Sequence, residues 1–441
     1  MRVLVVGGGG REAAIACQLA KTDTVFCLAG HENPSLLDAA HRSGGRLAIA
    51  SPTDGAAIAQ FAKANDIELA FVSADAPLEA GVVDALLDAA VPTVGPRRAG
   101  ARIEWDKRFA LELMREILPQ FTPRFWVIES LDRLDSVFAE VAAAAIDIVV
   151  KPQGLTAGKG VKVMGPHLAS LQDAKAYTRE LLEARPAECV LIVEKCAGHE
   201  FTLMCLTDGV SMVAPPATYD YPYRFAGDTG PGTGGMGAFS GTPVLPFLSM
   251  DEYRESVGIA KSVLEALSSR GISFNGVLNL GLFRTSQGLK FMEFNARFGD
   301  PEAMNILMLL ETPLGDVLRH IAAKQLEALE VRYSSAASVV KYLVSPEYAL
   351  GQGVPHHFEL DVAAIEKEGL KVFFSSAVRD AGTGGYRTVG NSRAVAVGAT
   401  APTPQEASDR IERALTAHVR GPLEWRGDIG SAQYIGGLAR R

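Results

Sequence analysis

The stretch Val149–Val163, VVKPQGLTAGKGVKV, decides how this chain is read. It has the glycines and the lysine of a phosphate-gripping loop, but not the spacing of a Walker loop. That loop needs four residues between its first glycine and the Gly-Lys pair, then a Ser or Thr to hold magnesium. Here three residues separate Gly154 from Gly158-Lys159, and Gly160 follows. Lys151 ends an apolar strand, and Lys159 lies in a loop backed by Gly154, Gly158 and Gly160. Such a loop can fold backbone amides over a triphosphate while two lysines neutralise its charge. It offers no metal ligand, so a cation accompanying the phosphates must be held elsewhere.

Two later stretches supply what the loop lacks. In LIVEKCAGHEF a strand ends in Glu194 and runs through Lys195-Cys196, an arrangement that permits its backbone to face adenine and a carboxylate, Glu200, to face a ribose. In KFMEFNARFGDPEA, Glu293 and Asn295 stand two apart on a strand and therefore share a face, which Arg297 is expected to continue. A carboxylate and an amide oxygen suit Mg²⁺, which takes few protein ligands and completes its shell with phosphate oxygens and water. Arg297 would reach an anion beside the metal.

Composition bounds the setting. The chain has 441 residues, too many for one ordinary core, with 48% hydrophobic and 21% charged residues. Its 43 basic and 51 acidic side chains leave a net charge of −8, which argues against a general nucleic-acid or membrane-surface role. No apolar run approaches the ~20 residues of a membrane span. The start, MRVLVVGGGG, passes from a short strand directly into glycines and does not read as a signal peptide. Cys17, Cys27, Cys189, Cys196 and Cys205 form no CxxC pair, as expected of free thiols in a reducing cytoplasm.

Along the first hundred residues strands and helices alternate: RVLVV, TVFCL, RLAIA, LAFVS and PTVG read as strands of a doubly wound parallel sheet. Ser51 and Pro52 read as the cap and first position of the third helix, APLEAGVVDALLDAA as a single helix, and Trp105 to Ile117 as a helix leading out. A turn such as VLVVGGGGRE can be an anion site, with amides at a helix N-terminus and Gly9, Gly10 and Arg11 facing a phosphate or carboxylate. It is not a dinucleotide fingerprint, because Glu12 stands where the third glycine belongs. The expected boundaries are an α/β domain over 1–103, a central domain over 104–330 with a smaller lobe near 124–196, and an α+β domain over 331–441.

GGREA, GLTAGKGV, DTGPGTGGMGA and EFNARFGDPE occur in one order along the chain, and in this the sequence resembles the glycinamide ribonucleotide synthetase (phosphoribosylamine–glycine ligase) family of the ATP-grasp superfamily. The resemblance implies an ATP-grasp fold, in which two α+β lobes clamp ATP, and ligation of small-molecule amine and amino-acid substrates, glycine and 5-phosphoribosylamine, through an acyl phosphate. Carried over by position, Lys107, Lys151 and Lys159 contact ATP phosphates, with Gly158 and Gly160 in the same loop. Glu194, the Cys196 backbone and Glu200 hold adenine and ribose. Glu293 and Asn295 bind Mg²⁺ or Mn²⁺, Arg297 steadies the acyl phosphate, and the segment from Asp228 through Gly234 and Gly235 lines the reacting centre. A monomer or homodimer in the cytoplasm is implied, with no nucleic-acid or membrane partner.

The sequence also departs from the family pattern. Gly8 and Ala13 replace an asparagine and a histidine of the opening loop; Ser73 to Leu78, SADAPL, replaces G-P-E-x-P-L; and Tyr219 to Tyr223, YDYPY, replaces Q-D-H-K-R. Ala303-Met304 stands where the family has Thr-Gln, and SPEY where it has G-G-Y-P. These positions leave open a paralogous ligase acting on another amine or acid, or a nucleotide-binding protein without turnover.

Overall fold

The structure, a computed structural model, describes residues 1–154, 160–241, 244–382 and 384–438. The chain forms two compact units: Met1–Ala101, Phe201–Leu280 and Asn295–Arg441 make the first, and Arg102–Glu200 with Gly281–Phe294 the second.

In the first unit, β1 (Arg2–Val6), β2 (Thr24–Ala29), β3 (Leu47–Ile49), β4 (Leu69–Val72) and β5 (Thr93–Val94) form the expected parallel sheet in the order β3-β2-β1-β4-β5. β1 and β4 are buried on both faces, as all-apolar runs require when helices cover both sides. Helix α1 (Gly10–Leu19) follows β1 after Gly7–Gly9, and α2 (Pro34–Arg42) follows β2. Three boundaries differ from the sequence reading. Helix α3 (Gly55–Ala64) is capped by Asp54, whose carboxylate accepts the Ala57 amide; Ser51 and Thr53 instead hydrogen-bond each other. The long helix divides into α4 (Asp75–Glu79) and α5 (Val82–Asp88) because Gly81 takes a left-handed φ of 77°. Trp105 ends α6 (Arg98–Trp105), and α7 (Lys107–Ile117) starts afresh from an Asp106 cap.

The first unit also contains a larger sheet. Its strands run in the order Gly198–Thr207, Thr218–Asp220, Gly237–Ser240, Ala337–Val344, Arg393–Ala401 and Lys371–Phe374, with antiparallel neighbours wherever their register is resolved. Ala337–Val344 is buried at every residue, so it is the centre of the core. The helix Glu302–Leu309 packs on it, and buried Asn305 ties that helix down by donating to the carbonyls of Ala238 and Ser338, both at 3.2 Å. The residues after 331 thus share a core with the first hundred.

The second unit is built on β6 (Phe125–Ile128), β7 (Ile148–Pro152), β8 (Lys162–Val163) and β9 (Val190–Glu194), an antiparallel sheet ordered β6-β9-β7-β8. Helices α8 (Leu134–Ala144) and α9 (Leu171–Ala184) cover it around Val137, Phe138, Ile148, Val150, Leu182 and Ile192. The glycine loop joins β7 to β8, and its two described glycines, Gly154 and Gly160, both have positive φ. Asp106 braces its base: the carboxylate caps α7 at Phe109 and accepts from Gln153 Nε2 at 2.6 Å.

Glycine is required at one strand position and replaceable at another. A Cβ on Gly237 would stand 2.2 Å from the Val340 carbonyl, whereas one on Gly258, inside the helix Met250–Ser269, would meet nothing within 4 Å. Gly237→Ala should therefore lower unfolding stability by about 2–4 kcal/mol, and Gly258→Ala raise it by about 0.5–1 kcal/mol. Denaturant titration checks both, and equal midpoints for the two variants would contradict the packing. Burial pushes the Asp106 pKa up, but hydrogen bonds from Phe109, Arg102 and Gln153 outweigh it and leave the carboxyl below its ordinary value. Its stabilisation is complete above the ordinary carboxylate range and disappears as pH falls through the lowered value. Asp106→Asn should accordingly cost about 1 kcal/mol near neutral pH and progressively less below about pH 4. A cost that stays constant through the acid limb would contradict it.

Candidate active site

In the second unit the ATP-facing residues are brought together. Lys151 leaves β7 and donates to the Met292 carbonyl at 3.3 Å, while Lys107, first residue of α7, donates to the carbonyl of Gly154 at the mouth of the glycine loop. Burial pulls the Lys107 pKa down, Glu293 pushes it up and Lys151 pulls it down further, with a net lowering. Glu200 is pushed up to about 7, mainly by burial and then by Glu293, against the opposing charge of Lys151. Two cations and two carboxylates thus share one electrostatic neighbourhood, and within it Lys107 and Glu200 are costly to keep charged, the condition expected of a binding site. Glu194 is differently placed. Arg124 grips it through Nε and Nη2, both at 3.2 Å, and these bonds outweigh burial to hold its pKa below the usual range. The Cys196 thiol faces back to the Glu194 carbonyl at 3.9 Å, leaving the strand-end backbone as the feature that can meet a base. Gly160 is fixed at the loop's far end by Tyr177, whose hydroxyl donates to its carbonyl at 2.7 Å. Gly158 and Lys159 lie outside the described residues.

The strand Gly288–Asn295 carries the proposed metal ligands. Leu289 and Phe291 are buried on one face; beyond them the buried face is that of Phe294, Ala296 and Phe298, leaving Glu293 and Asn295 partly exposed. Arg297 is not on the strand. It lies in a bend past the strand's end, and its guanidinium turns back to donate to Asn295 Oδ1 and the Phe298 carbonyl, each at 3.1 Å. Among the described residues no group of three or more His, Cys, Asp or Glu is placed to hold a metal. The donor set at 293 and 295, one carboxylate and one amide oxygen, is a hard-oxygen pair suited to a cation that takes its remaining ligands from phosphate and water.

The first unit assembles a second cluster around the β1–α1 turn. The Gly9 amide donates to Glu12 Oε2 at 2.8 Å, so this helix start already has a carboxylate partner. Arg11 is buried, bonded to Glu12 at 2.5 Å and to the Phe298 carbonyl at 3.0 Å, with Asp75 at 3.8 Å. Burial lowers its pKa, but Glu12, Asp75 and Asp300 outweigh that and keep it firmly cationic. Ser73 accepts the Phe298 amide at 3.0 Å, so the SADAPL departure is packed against the FGDP turn.

Asp228 and the tyrosines of YDYPY have structural partners. Asp228, at a left-handed φ of 59°, takes an ion pair from Arg426 at 3.1 Å and the Tyr434 hydroxyl. Tyr219 and Tyr221 are buried in an aromatic cluster with Phe239 and Tyr434. Arg224 is also buried, bonded to Glu424 at 2.5 Å and to the Tyr348 and Ser345 carbonyls.

Sequence reasoning missed Asp300, Tyr342 and Arg393. The Tyr342 hydroxyl donates to Asp300 Oδ1 at 2.6 Å. Arg393 donates to the carbonyls of Gly234, of Gly235 at 3.1 Å and of Asp300 at 2.7 Å, and its guanidinium lies 4.5 Å from the Tyr342 ring centre. The sequence signals were Asp300 inside EFNARFGDPE, a tyrosine within ASVVKYLV and the arginine that opens RAVAVGATA.

Comparison with known proteins gives the family and the fold. The phosphoribosylglycinamide synthetase N domain matches residues 1–104, and the ATP-grasp (A) domain of the same synthetase matches residues 105–303. The phosphoribosylamine–glycine ligase of Thermococcus kodakarensis is 38% identical over 438 residues, covering 99% of this chain and 97% of its own. That of Methanosarcina barkeri is 37% identical over 441 residues, with 99% and 97% covered. The crystal structure of the Thermotoga maritima phosphoribosylamine–glycine ligase superposes with a TM-score of 0.79 at 23% identity, over 97% of this chain and 100% of that one. Biotin carboxylase from Campylobacter jejuni, a likeness of fold alone, gives 0.69 at 12% identity, over 100% and 98%. With both domains matched and relatives alike from end to end, the chain has the ATP-grasp fold and belongs to the phosphoribosylglycinamide synthetase family.

Proposed function

We propose that this chain joins glycine to 5-phosphoribosylamine, consuming ATP and releasing glycinamide ribonucleotide, ADP and phosphate. The observation that carries the reading is the gathering of Lys107, Lys151, Glu200 and Glu293 in one electrostatic neighbourhood, on a chain whose relatives of that activity match it from end to end. In this reading Lys107, Lys151 and Lys159 neutralise the phosphates, with Gly158 and Gly160 folding the loop over them. The strand-end backbone at Cys196 meets adenine, Glu194 sits beside it, and Glu200 takes the ribose hydroxyls. Glu293 and Asn295 would hold Mg²⁺ or Mn²⁺; the cation, when bound, offsets charge on the phosphate oxygens.

The reaction is one of positioning and charge neutralisation. The glycine carboxylate attacks the γ-phosphorus, the bond to the ADP oxygen breaks, and an acyl phosphate forms. The amine of phosphoribosylamine then attacks the acyl carbon; the carbon–oxygen bond to phosphate breaks, and the amine's proton passes to solvent. Arg297, turned back toward Asn295, steadies the acyl phosphate. Gly9, Gly10 and Arg11 face the sugar phosphate, and Gly234 and Gly235 border the reacting carbon. Asp228, bound by Arg426 and Tyr434, shapes that glycine segment. The domain borders 1–103, 104–330 and 331–441 and a cytoplasmic setting belong to the same proposal. Among the described residues no helix is long and apolar enough to cross a membrane.

ADP formation should require glycine and phosphoribosylamine together. Turnover with another acid–amine pair in their place would reassign the substrate to the paralogous reading, and nucleotide binding without turnover on any pair would reject the ligase reading. Glu293→Ala should lower kcat by at least about 10³-fold with an unaltered melting curve; wild-type turnover would remove the metal assignment. Glu200→Gln should weaken ADP binding about tenfold, a lost charged hydrogen bond, while raising thermal stability, because it deletes a carboxyl whose ionised form is buried. Calorimetry and melting on one sample check this, and unchanged affinity would contradict the ribose role.

A further inference from the structure

Neither Tyr342 nor Arg393 falls within residues 1–104 or 105–303, the spans matched by the two family domains, yet both reach the site. Their surroundings are closely built. A Cβ on Gly10 would lie 2.3 Å from the Tyr342 hydroxyl, and one on Gly235 2.7 Å from Pro301 Cδ, so the glycine turn, the glycine-rich segment and the Asp300–Pro301 turn leave no slack. Ser375 also hydrogen-bonds the Tyr342 phenol, so the hydroxyl that donates to Asp300 is held from behind. Arg393 Nη1 reaches three backbone carbonyls, while Nη2 lies 3.5 Å from Asp300 Oδ2. With Oδ1 taken by Tyr342, Oδ2 is the oxygen left facing the β1–α1 turn, 3.6 Å from where a Gly9 Cβ would stand.

We propose that Tyr342 and Arg393 are positioning residues for the amine half of the reaction. They fix the Asp300 carboxylate, and the Gly234 and Gly235 carbonyls with it, so that Oδ2 accepts a hydrogen bond from an N–H of the amine substrate and orients its lone pair. An arginine and a phenol hold the one carboxylate in place, which makes Asp300 a fixed acceptor and leaves the departing proton to solvent. One rigid plane sets Nη1 among the carbonyls and Nη2 beside Asp300 Oδ2, two nitrogens at a fixed separation that an ammonium lacks. The inference rests on the proposed function for the identity of the amine.

The test uses the full chain as Arg393→Met, Arg393→Lys and Tyr342→Phe. We expect kcat/KM for phosphoribosylamine to fall about 100-fold in Arg393→Met and about tenfold in Arg393→Lys and Tyr342→Phe, with the ADP Kd within about twofold of wild type. Amide hydrogen exchange across Thr233–Met236 should quicken about tenfold in Arg393→Met and stay unchanged in Tyr342→Phe. Folded variants with unaltered amine kinetics would overturn the proposal, as would ADP affinity falling in step with turnover, the sign of a general structural role. Should Arg393→Met not fold, Tyr342→Phe decides alone, since it removes a single oxygen. If the unmodified protein proves inactive with glycine and phosphoribosylamine, the proposed function falls. The exchange comparison then decides the positioning: unchanged exchange in Arg393→Met overturns it, and faster exchange upholds it.

Discussion

Side-chain alternation along one strand sets the layout of the chemistry. In Gly288–Asn295 the buried face is held by Leu289 and Phe291, then by Phe294 after the pattern shifts, and the shift leaves Glu293 and Asn295 together on the partly exposed side. A side chain every second residue on one face is a property of extended backbone, and it places a carboxylate and an amide oxygen side by side without help from any loop. On the proposed reading the glycine loop has no metal to bind and offers backbone amides and lysines to the phosphates, whereas in a Walker loop one segment does both tasks.

The two units carry different kinds of electrostatics. In the second, burial and a like-charged neighbour oppose ionisation at two groups: Lys107, beside Lys151, is pulled down, and Glu200, beside Glu293, is pushed to about 7. A nucleotide with its cation would relieve that frustration by supplying the missing partners. In the first, Arg11, Glu12, Asp75, Asp300, Tyr342 and Arg393 are paired already, and the opposite charges outweigh burial at Arg11 and Arg393. That cluster is preorganised, as suits a site that must aim a neutral nucleophile and cannot reorganise during attack.

Much of this was legible in the residues, and the failures have physical causes. All five strands of the parallel sheet were visible because each is a short apolar run bounded by turn residues. Local competition decided the helix boundaries: Asp54 caps better than Ser51 where their geometry differs, and the left-handed Gly81 breaks a continuous apolar pattern. Among the proposed site residues, those carried by compact motifs were named from sequence, including Glu293, Asn295, Lys151 and Arg11. Asp300 stood inside a quoted motif, but its role depends on Tyr342 and Arg393. Those lie 42 and 93 residues further on and become neighbours only when the strands Ala337–Val344 and Arg393–Ala401 pair. Periodicity places a buried tyrosine in a strand and is silent on what its hydroxyl meets. Arg297 shows the converse error, since extrapolating the strand by two residues overlooked the bend at its end.

The departures at Tyr219–Tyr223 take on a different meaning once placed. Tyr219 and Tyr221 are core aromatics, and Arg224 serves backbone carbonyls and Glu424, so this segment supports the glycine-rich stretch through packing. The most direct test of the whole account is a crystal structure of the protein grown with ADP and Mg²⁺. The account predicts a cation within about 2.0–2.2 Å of one Glu293 carboxylate oxygen and of Asn295 Oδ1, the separation magnesium demands of its oxygen ligands. A cation bound to the nucleotide and remote from both side chains would contradict it.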